Sequence, residues 1–147
     1  MTMKDKTPFY VASGLGNIHV AKDRIAYHES RGRRVTYNWT THGSLQSAPY
    51  AWRDIAKAEA QGVADAAFAH AIMPGFRGTH VEIGIAIGAA LAGDLLKPVI
   101  LETSQEDMIG PGGYTCIFYQ HPNVFVVKPG DFDAIEKLLK TYLEARS

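Results

Sequence analysis

Short apolar runs alternate along this chain with stretches in which apolar residues recur every three or four positions. Phe9, Tyr10, Val11, Ala12 and Ser13 form an apolar run bounded by Pro8 and Gly14, which predicts a buried strand. Gly14, Leu15, Gly16 and Asn17 make a turn. Residues 18–31 predict a helix with Ile18, Ala21, Ile25 and His28 on one side, closed by Gly32. Residues 33–39, rich in Val, Thr, Tyr and Trp, predict a second strand, and the polar stretch 40–49 a loop. A helix is predicted over 50–62 with Trp52, Ile55 and Ala58 inward, then a strand over 64–73, a loop over 74–78 and a helix over 79–92. Residues 97–102 predict a fourth strand, and the glycine-rich 103–115 a mobile loop. The last strand falls within 116–127, best placed at 124–127. A closing helix over 131–145 carries the stripe Phe132, Ile135, Leu138, Leu139, Tyr142 and Leu143.

Strands that alternate with helices from end to end predict an α/β fold. The expected architecture is one flavodoxin/Rossmann-like domain over 1–147, a five-stranded, mainly parallel sheet with helices on both faces. Such sheets take ligands at the carboxyl ends of their strands, near the switch in strand order. Three segments should meet there: 13–17, 39–43 and 74–82.

Composition narrows the function classes. Fifteen Lys and Arg balance fifteen Asp and Glu, so no large positive field exists to hold nucleic acid. A single cysteine, Cys116, cannot form an internal disulfide. It lies in an apolar run and reads as a buried, inert thiol. Neither a signal-like apolar stretch near the start nor a run of about 18 apolar residues occurs. The expectation is a cytoplasmic protein that binds neither nucleic acid nor membrane. Six histidines are present, but His42, His70, His80 and His121 are scattered and share no ligand spacing with Cys or carboxylates, so no metal is expected. Gly14-Leu15-Gly16 is half a dinucleotide fingerprint without its third glycine, and no cofactor is expected.

The most informative stretch is Pro74-Gly75-Phe76-Arg77-Gly78-Thr79-His80-Val81-Glu82-Ile83-Gly84. Gly75 and Gly78 allow sharp turns and close approach to a ligand. Thr79 followed three residues later by Glu82 fits a capping box. The helix beyond is apolar all round, which predicts burial and sets Glu82 at the edge of the core beside the cleft. Residue chemistry alone leaves both roles for Glu82 open, helix cap and cleft carboxylate.

Three pieces in order resemble the nucleoside 2-deoxyribosyltransferase family, including its nucleotide N-hydrolase relatives. They are the strand Phe9 to Ser13, the run Gly78-Thr79-His80-Val81-Glu82-Ile83-Gly84-Ile85-Ala86, and Lys97-Pro98-Val99-Ile100. The resemblance implies cleavage or transfer at the N-glycosidic bond of a (deoxy)nucleoside or its 5′-monophosphate. Glu82 matches the nucleophile that forms a glycosyl-enzyme, Tyr10 the tyrosine that orients it, and Asp65 an aspartate that opens strand three. It also implies a small-molecule nucleoside or nucleotide and a free base as partners, and a homodimer or higher homo-oligomer whose neighbouring subunit completes the pocket. The segment 110–115 would be a lid or a subunit contact. One departure stands out. The acidic residue common six positions before the glutamate is Phe76 here, which leaves Asp65 or His80 to protonate a leaving base. Arg77 suggests an anionic group such as a 5′-phosphate, which Ser13 and the backbone of Gly14, Gly16 and Asn17 could help hold.

Further candidates for the substrate are Trp39, to stack on a base, and His42, to hydrogen-bond it; Gly75, Gly78, Thr79 and His80 belong to the same loop. Two alternatives stay open. One is a non-catalytic nucleotide-sensing domain. The other is a phosphoribohydrolase of the lysine-decarboxylase-like type, whose Pro-Gly-Gly-x-Gly-Thr-x-x-Glu motif residues 74–82 resemble more faintly.

Overall fold

The computed structural model describes residues 6–42 and 49–143. The ends of the chain and the part of the expected loop at 43–48, with Gly43, lie outside the described residues, as does the tail of the last predicted helix.

Five parallel strands form one sheet. They are β1 (Pro8–Ser13), β2 (Arg34–Val35), β3 (Phe68–Ile72), β4 (Val99–Glu102) and β5 (Val124–Val127), in the order β2-β1-β3-β4-β5. The helices are α1 (Ile18–Ser30), α2 (Trp52–Asp65), α3 (Arg77–Gly93), the short α4 (Gln105–Met108) and α5 (Phe132–Tyr142). The order reverses between β1 and β3, which pair from Phe9 against Phe68 to Ser13 against Ile72. A cleft is expected at the carboxyl end of that pair.

Side chains alternate across the sheet. On β1, Phe9 meets the ring of His28 from α1, while Tyr10 points the other way to Glu82 of α3. The central strands are buried on both faces, with Val99, Ile100 and Leu101 all at 0 % exposure. α5 covers the α1 side through Ile135 and Leu139, and its amino end is capped by Asp131, which accepts from the Ala134 N–H at 3.1 Å.

The expected order of elements holds throughout, and several bounds move. β2 stops at Val35 rather than Trp39. Past it, Asn38 accepts from the Thr40 N–H, and the Trp39 indole N–H donates to the Val11 carbonyl at 2.7 Å. Side-chain hydrogen bonds replace the backbone ladder there, and the chain makes a turn over Trp39–Thr41. α2 is shifted toward the carboxyl end. Trp52, expected inward, is 46 % exposed, and Gly62 and Val63 are the buried residues. The alanines of 64–67 lie at and after the end of α2, so β3 is shorter than predicted. The segment 103–115 contains α4, capped by the Ser104 hydroxyl, and closes with a bridge between Ile109 and Thr115. α3 is not buried all round: Val81 and Leu91 are 60 % and 68 % exposed. Cys116 is half-buried rather than fully enclosed. Among the described residues no helix is long and apolar enough to cross a membrane.

Candidate active site

A cavity of about 680 Å³ opens at the carboxyl ends of β1 and β3. Its walls come from the turn after β1 (Ser13, Gly14, Leu15), the turn at Trp39 and His42, Glu59 on α2, and Phe76, Arg77, Gly78, Thr79 and Glu82 at the start of α3. The three segments expected to meet do meet.

Glu82 stands at the centre of the cavity's hydrogen bonding and electrostatics. The buried Tyr10 hydroxyl donates to Glu82 Oε2. The expected capping box does not form. α3 begins at Arg77, with Phe76 in the N-cap position, extended and making no side-chain cap. Thr79 therefore sits inside the first turn, and its hydroxyl is buried without a hydrogen-bond partner. Glu82, a turn further on, is free of any capping role and faces the cavity.

Burial pushes the Glu82 carboxyl up to about 8; the Tyr10 hydrogen bond acts against this, and the charge of Glu59 adds to it. Burial, followed by the proximity of Glu82, raises the Tyr10 hydroxyl far above the usual phenol range, so it remains a donor. Glu59 is also raised by burial, an effect that His42 opposes. His42 in turn hydrogen-bonds the Tyr37 hydroxyl. The cavity thus holds two carboxyls whose pKa values burial raises, one of them gripped by a tyrosine.

Of the predicted site residues, Ser13, Gly14, Trp39, His42, Arg77, Gly78, Thr79 and Glu82 line the cavity, with Tyr10 behind Glu82. Asn17 instead ties two loops together, donating from Nδ2 to the Pro74 carbonyl at 3.1 Å. Gly16 does not line the cavity, and Gly75 lies beneath Thr79. His80 faces the other side of α3, where Nδ1 donates to the Phe76 carbonyl at 2.7 Å and Nε2 pairs with the Tyr119 hydroxyl at 2.5 Å. Asp65 is the last residue of α2, exposed near the amino end of β3, opposite the cavity, and bonded to Gln61. Its assignment as an opener of strand three fails because the helix runs through it.

Glu59 was missed. It stands four residues after Ile55 and four before Val63, on the inward face of α2. An acidic residue on an inward helical stripe was the signal. The stripe expected from Trp52, Ile55 and Ala58 already turns position 59 inward, since seven residues make nearly two full turns, and the carboxyl on it went unread. Among the described residues no cluster of His, Cys, Asp and Glu could hold a metal ion.

No family model matches the chain, and no curated protein does. A solved structure, that of a CMP N-glycosidase from Clostridium botulinum, is similar in fold, with a TM-score of 0.56 and 19 % identity. The alignment covers 92 % of this chain and 100 % of that one. The α/β Rossmann-like architecture expected from the sequence is therefore that of a solved nucleotide-cleaving enzyme.

Proposed function

We propose that the protein cleaves the N-glycosidic bond of nucleosides or their 5′-monophosphates, through attack of Glu82 on the anomeric carbon. The observation that supports this most is the Glu82 carboxyl, held at one oxygen by Tyr10 and facing a cavity large enough for a nucleotide. The fold shared with a CMP N-glycosidase lends the reading further weight.

In the first step a Glu82 oxygen bonds to C1′ as the C1′–N bond breaks. The bonding electrons leave with the base, which takes a proton from Glu59, the second carboxyl of the cavity. Asp65 and His80, the candidates read from sequence, lie outside the cavity, and Glu59 takes their place. In the second step water, or a free base in a transferase, attacks C1′. Glu59 accepts the released proton, and Glu82 leaves as a carboxylate. Two carboxyls in these roles follow the general logic of retaining glycoside cleavage. Tyr10 stabilises the ionised form of Glu82 before attack and after release. Trp39 and Phe76 offer aromatic surface to a base. Arg77 and the amino end of α3 offer positive potential to a 5′-phosphate.

A homodimer accompanies this reading. The exposed face of α3 carries Val81, Gly84, Gly88 and Leu91, and nothing lies near the two glycines. That apolar face suits a second copy of the chain, and sedimentation at micromolar concentration tests it.

The activity assay incubates the protein with nucleosides, deoxynucleosides and their 5′-monophosphates, with and without a second free base, and separates products by chromatography. Free base alone marks a hydrolase; exchange marks a transferase. Saturable binding with no turnover of any substrate would mean a sensor and would overturn the catalytic reading.

A further inference from the structure

Thr79 Oγ1 is the buried side-chain polar atom that lacks a hydrogen-bond partner among the described residues. The residue is 2 % exposed and lines the cavity. It precedes Glu82 by three positions on α3, so the two side chains share a helix face. A helical threonine commonly turns its hydroxyl back onto a carbonyl three or four residues earlier. This one makes no such bond. An unpaired buried hydroxyl is unfavourable in the free protein, and a valine in its place would carry no such penalty.

The placement is held as well as costly. The Thr79 side chain rests on Gly75, where an added Cβ would lie 2.6 Å from Cγ2 and 3.0 Å from Oγ1. Any side chain at position 75 would displace it. Gly75 and the uncapped start of α3 together keep in position a hydroxyl that bonds nothing within the protein.

We infer that the Thr79 hydroxyl pairs with a hydroxyl of the substrate's sugar ring, so that Thr79 determines sugar specificity beside the nucleophile. The inference rests on the N-glycosidic reading of the cavity. With Glu82 at the anomeric carbon, the departing base is on the far face of the sugar, away from α3. A phosphate hangs at the end of the exocyclic arm. The ring oxygen gives up its lone pair to the anomeric carbon as the oxocarbenium-like centre forms and becomes a poor acceptor, which leaves the ring hydroxyls as the polar partners within about one helical turn, 5.4 Å, of the reacting carbon. A sugar hydroxyl both donates and accepts, as threonine does, so the pair can form in either sense. Hydrogen bonds of this kind strengthen as the anomeric carbon gains positive charge.

The test compares the wild type with Thr79→Val and Thr79→Ser. The substrates are the ribo-, 2′-deoxy- and 2′,3′-dideoxynucleoside 5′-monophosphates of the best-cleaved base, and the same nucleosides without phosphate. Thr79→Val should lower kcat/KM about tenfold wherever the paired hydroxyl is present, the effect of one hydrogen bond. The loss should vanish once that hydroxyl is removed, and Thr79→Ser should restore the rate. The thermal midpoint of Thr79→Val should equal or exceed that of the wild type, because the hydroxyl is unpaired in the free protein. A loss equal on all sugars, a loss that disappears only with the phosphate, no loss at all, or a lowered midpoint would each overturn the assignment. Failure of the wild type to cleave any of these substrates would instead bring down the N-glycosidic reading itself.

Discussion

Glu82 and Glu102 are both carboxyls enclosed by this fold, and their surroundings are opposite. Glu102, at the end of β4, is 2 % exposed and accepts four hydrogen bonds. Arg24 Nε and His70 Nε2 donate to Oε1 at 2.9 and 2.8 Å, and Arg24 Nη2 and the Gly130 N–H to Oε2 at 2.6 and 2.9 Å. Burial alone would raise its pKa, but the donors outweigh it and hold the group well below the usual carboxylate range. The chain of donors continues inward from the surface. Arg33 contacts His28 Nδ1 at 3.1 Å, and His28 Nε2 contacts His70 Nδ1 at 2.9 Å. Burial first, and the neighbouring charges after it, push His28 down to about 2, so this histidine stays neutral. With Arg33 always a donor, each imidazole passes its one N–H along toward Glu102. Glu82 has one donor, Tyr10, a second carboxyl nearby and an open cavity in front. A carboxylate satisfied on every side has nothing left to offer a substrate. One that is desolvated and under-partnered is where chemistry is found.

The largest effect should come from breaking the under-partnered member. Glu82→Gln keeps an acceptor for Tyr10 and removes the proposed nucleophile, so turnover should fall on the order of 10⁴-fold or more while the fold persists. A variant that keeps its rate in the chromatographic assay would remove Glu82 from the chemistry. Breaking the satisfied member should do the reverse. Glu102→Ala leaves Arg24, His70 and the Gly130 N–H buried without their acceptor, and should cost about 3–5 kcal/mol in denaturant unfolding. The rate per folded molecule should stay near that of the wild type.

The two carboxyls also pull stability in opposite directions with pH. The folded pKa of Glu82 lies above its ordinary 4.5, so between about 4.5 and 8 the folded state binds the extra proton and its contribution falls as pH rises. Glu59 adds in the same sense. The folded pKa of Glu102 lies below 4.5, so its contribution is complete above that value and is lost as pH falls beneath it. Glu82→Gln should therefore flatten the decline on the neutral side, a slope of at most about 1.4 kcal/mol per pH unit, without changing acid unfolding. Stability measured from pH 3 to 9 checks both limbs. A Glu82→Gln profile parallel to that of the wild type would show that burial does not hold the proton there.

This contrast also marks what the sequence made legible. Alternation of strand and helix patterns, and the bounds of β1, α1 and β5, come from local periodicity, and local periodicity is what a sequence carries most openly. The meeting of the β1 turn, the Trp39 turn and the start of α3 followed from the fold class alone. Thr79 and Glu82 carry a local signature of a helix cap that the fold overrides, because Tyr10, 72 residues earlier, engages the glutamate instead. The network of Glu102 is non-local in the same way. His28, His70 and Arg24 reach it from other elements, and nothing near Glu102 in the chain announces them. Asp65 was misplaced by the end of a helix, and Glu59 was passed over because an acidic residue on an amphipathic helix is usually a solvated one.

The smallest effect should sharpen the comparison rather than break it. Tyr10→Phe removes the single donor that Glu82 has, and leaves the ring in the core where Tyr10 is 0 % exposed. The carboxylate form loses its hydrogen bond, so the pKa of Glu82 should move above about 8. If catalysis needs that carboxylate, the acid limb of kcat/KM should shift to higher pH, with a loss of roughly tenfold at neutral pH that shrinks as the pH is raised. A purely structural tyrosine would lower the rate equally at every pH. A pH-independent loss would therefore assign Tyr10 to packing, and a shifted limb would assign it to the charge of Glu82. No such shift is expected on replacing Tyr27, which donates to Glu136 on the far face of the sheet at 2.6 Å, and Tyr27→Phe is the matched control.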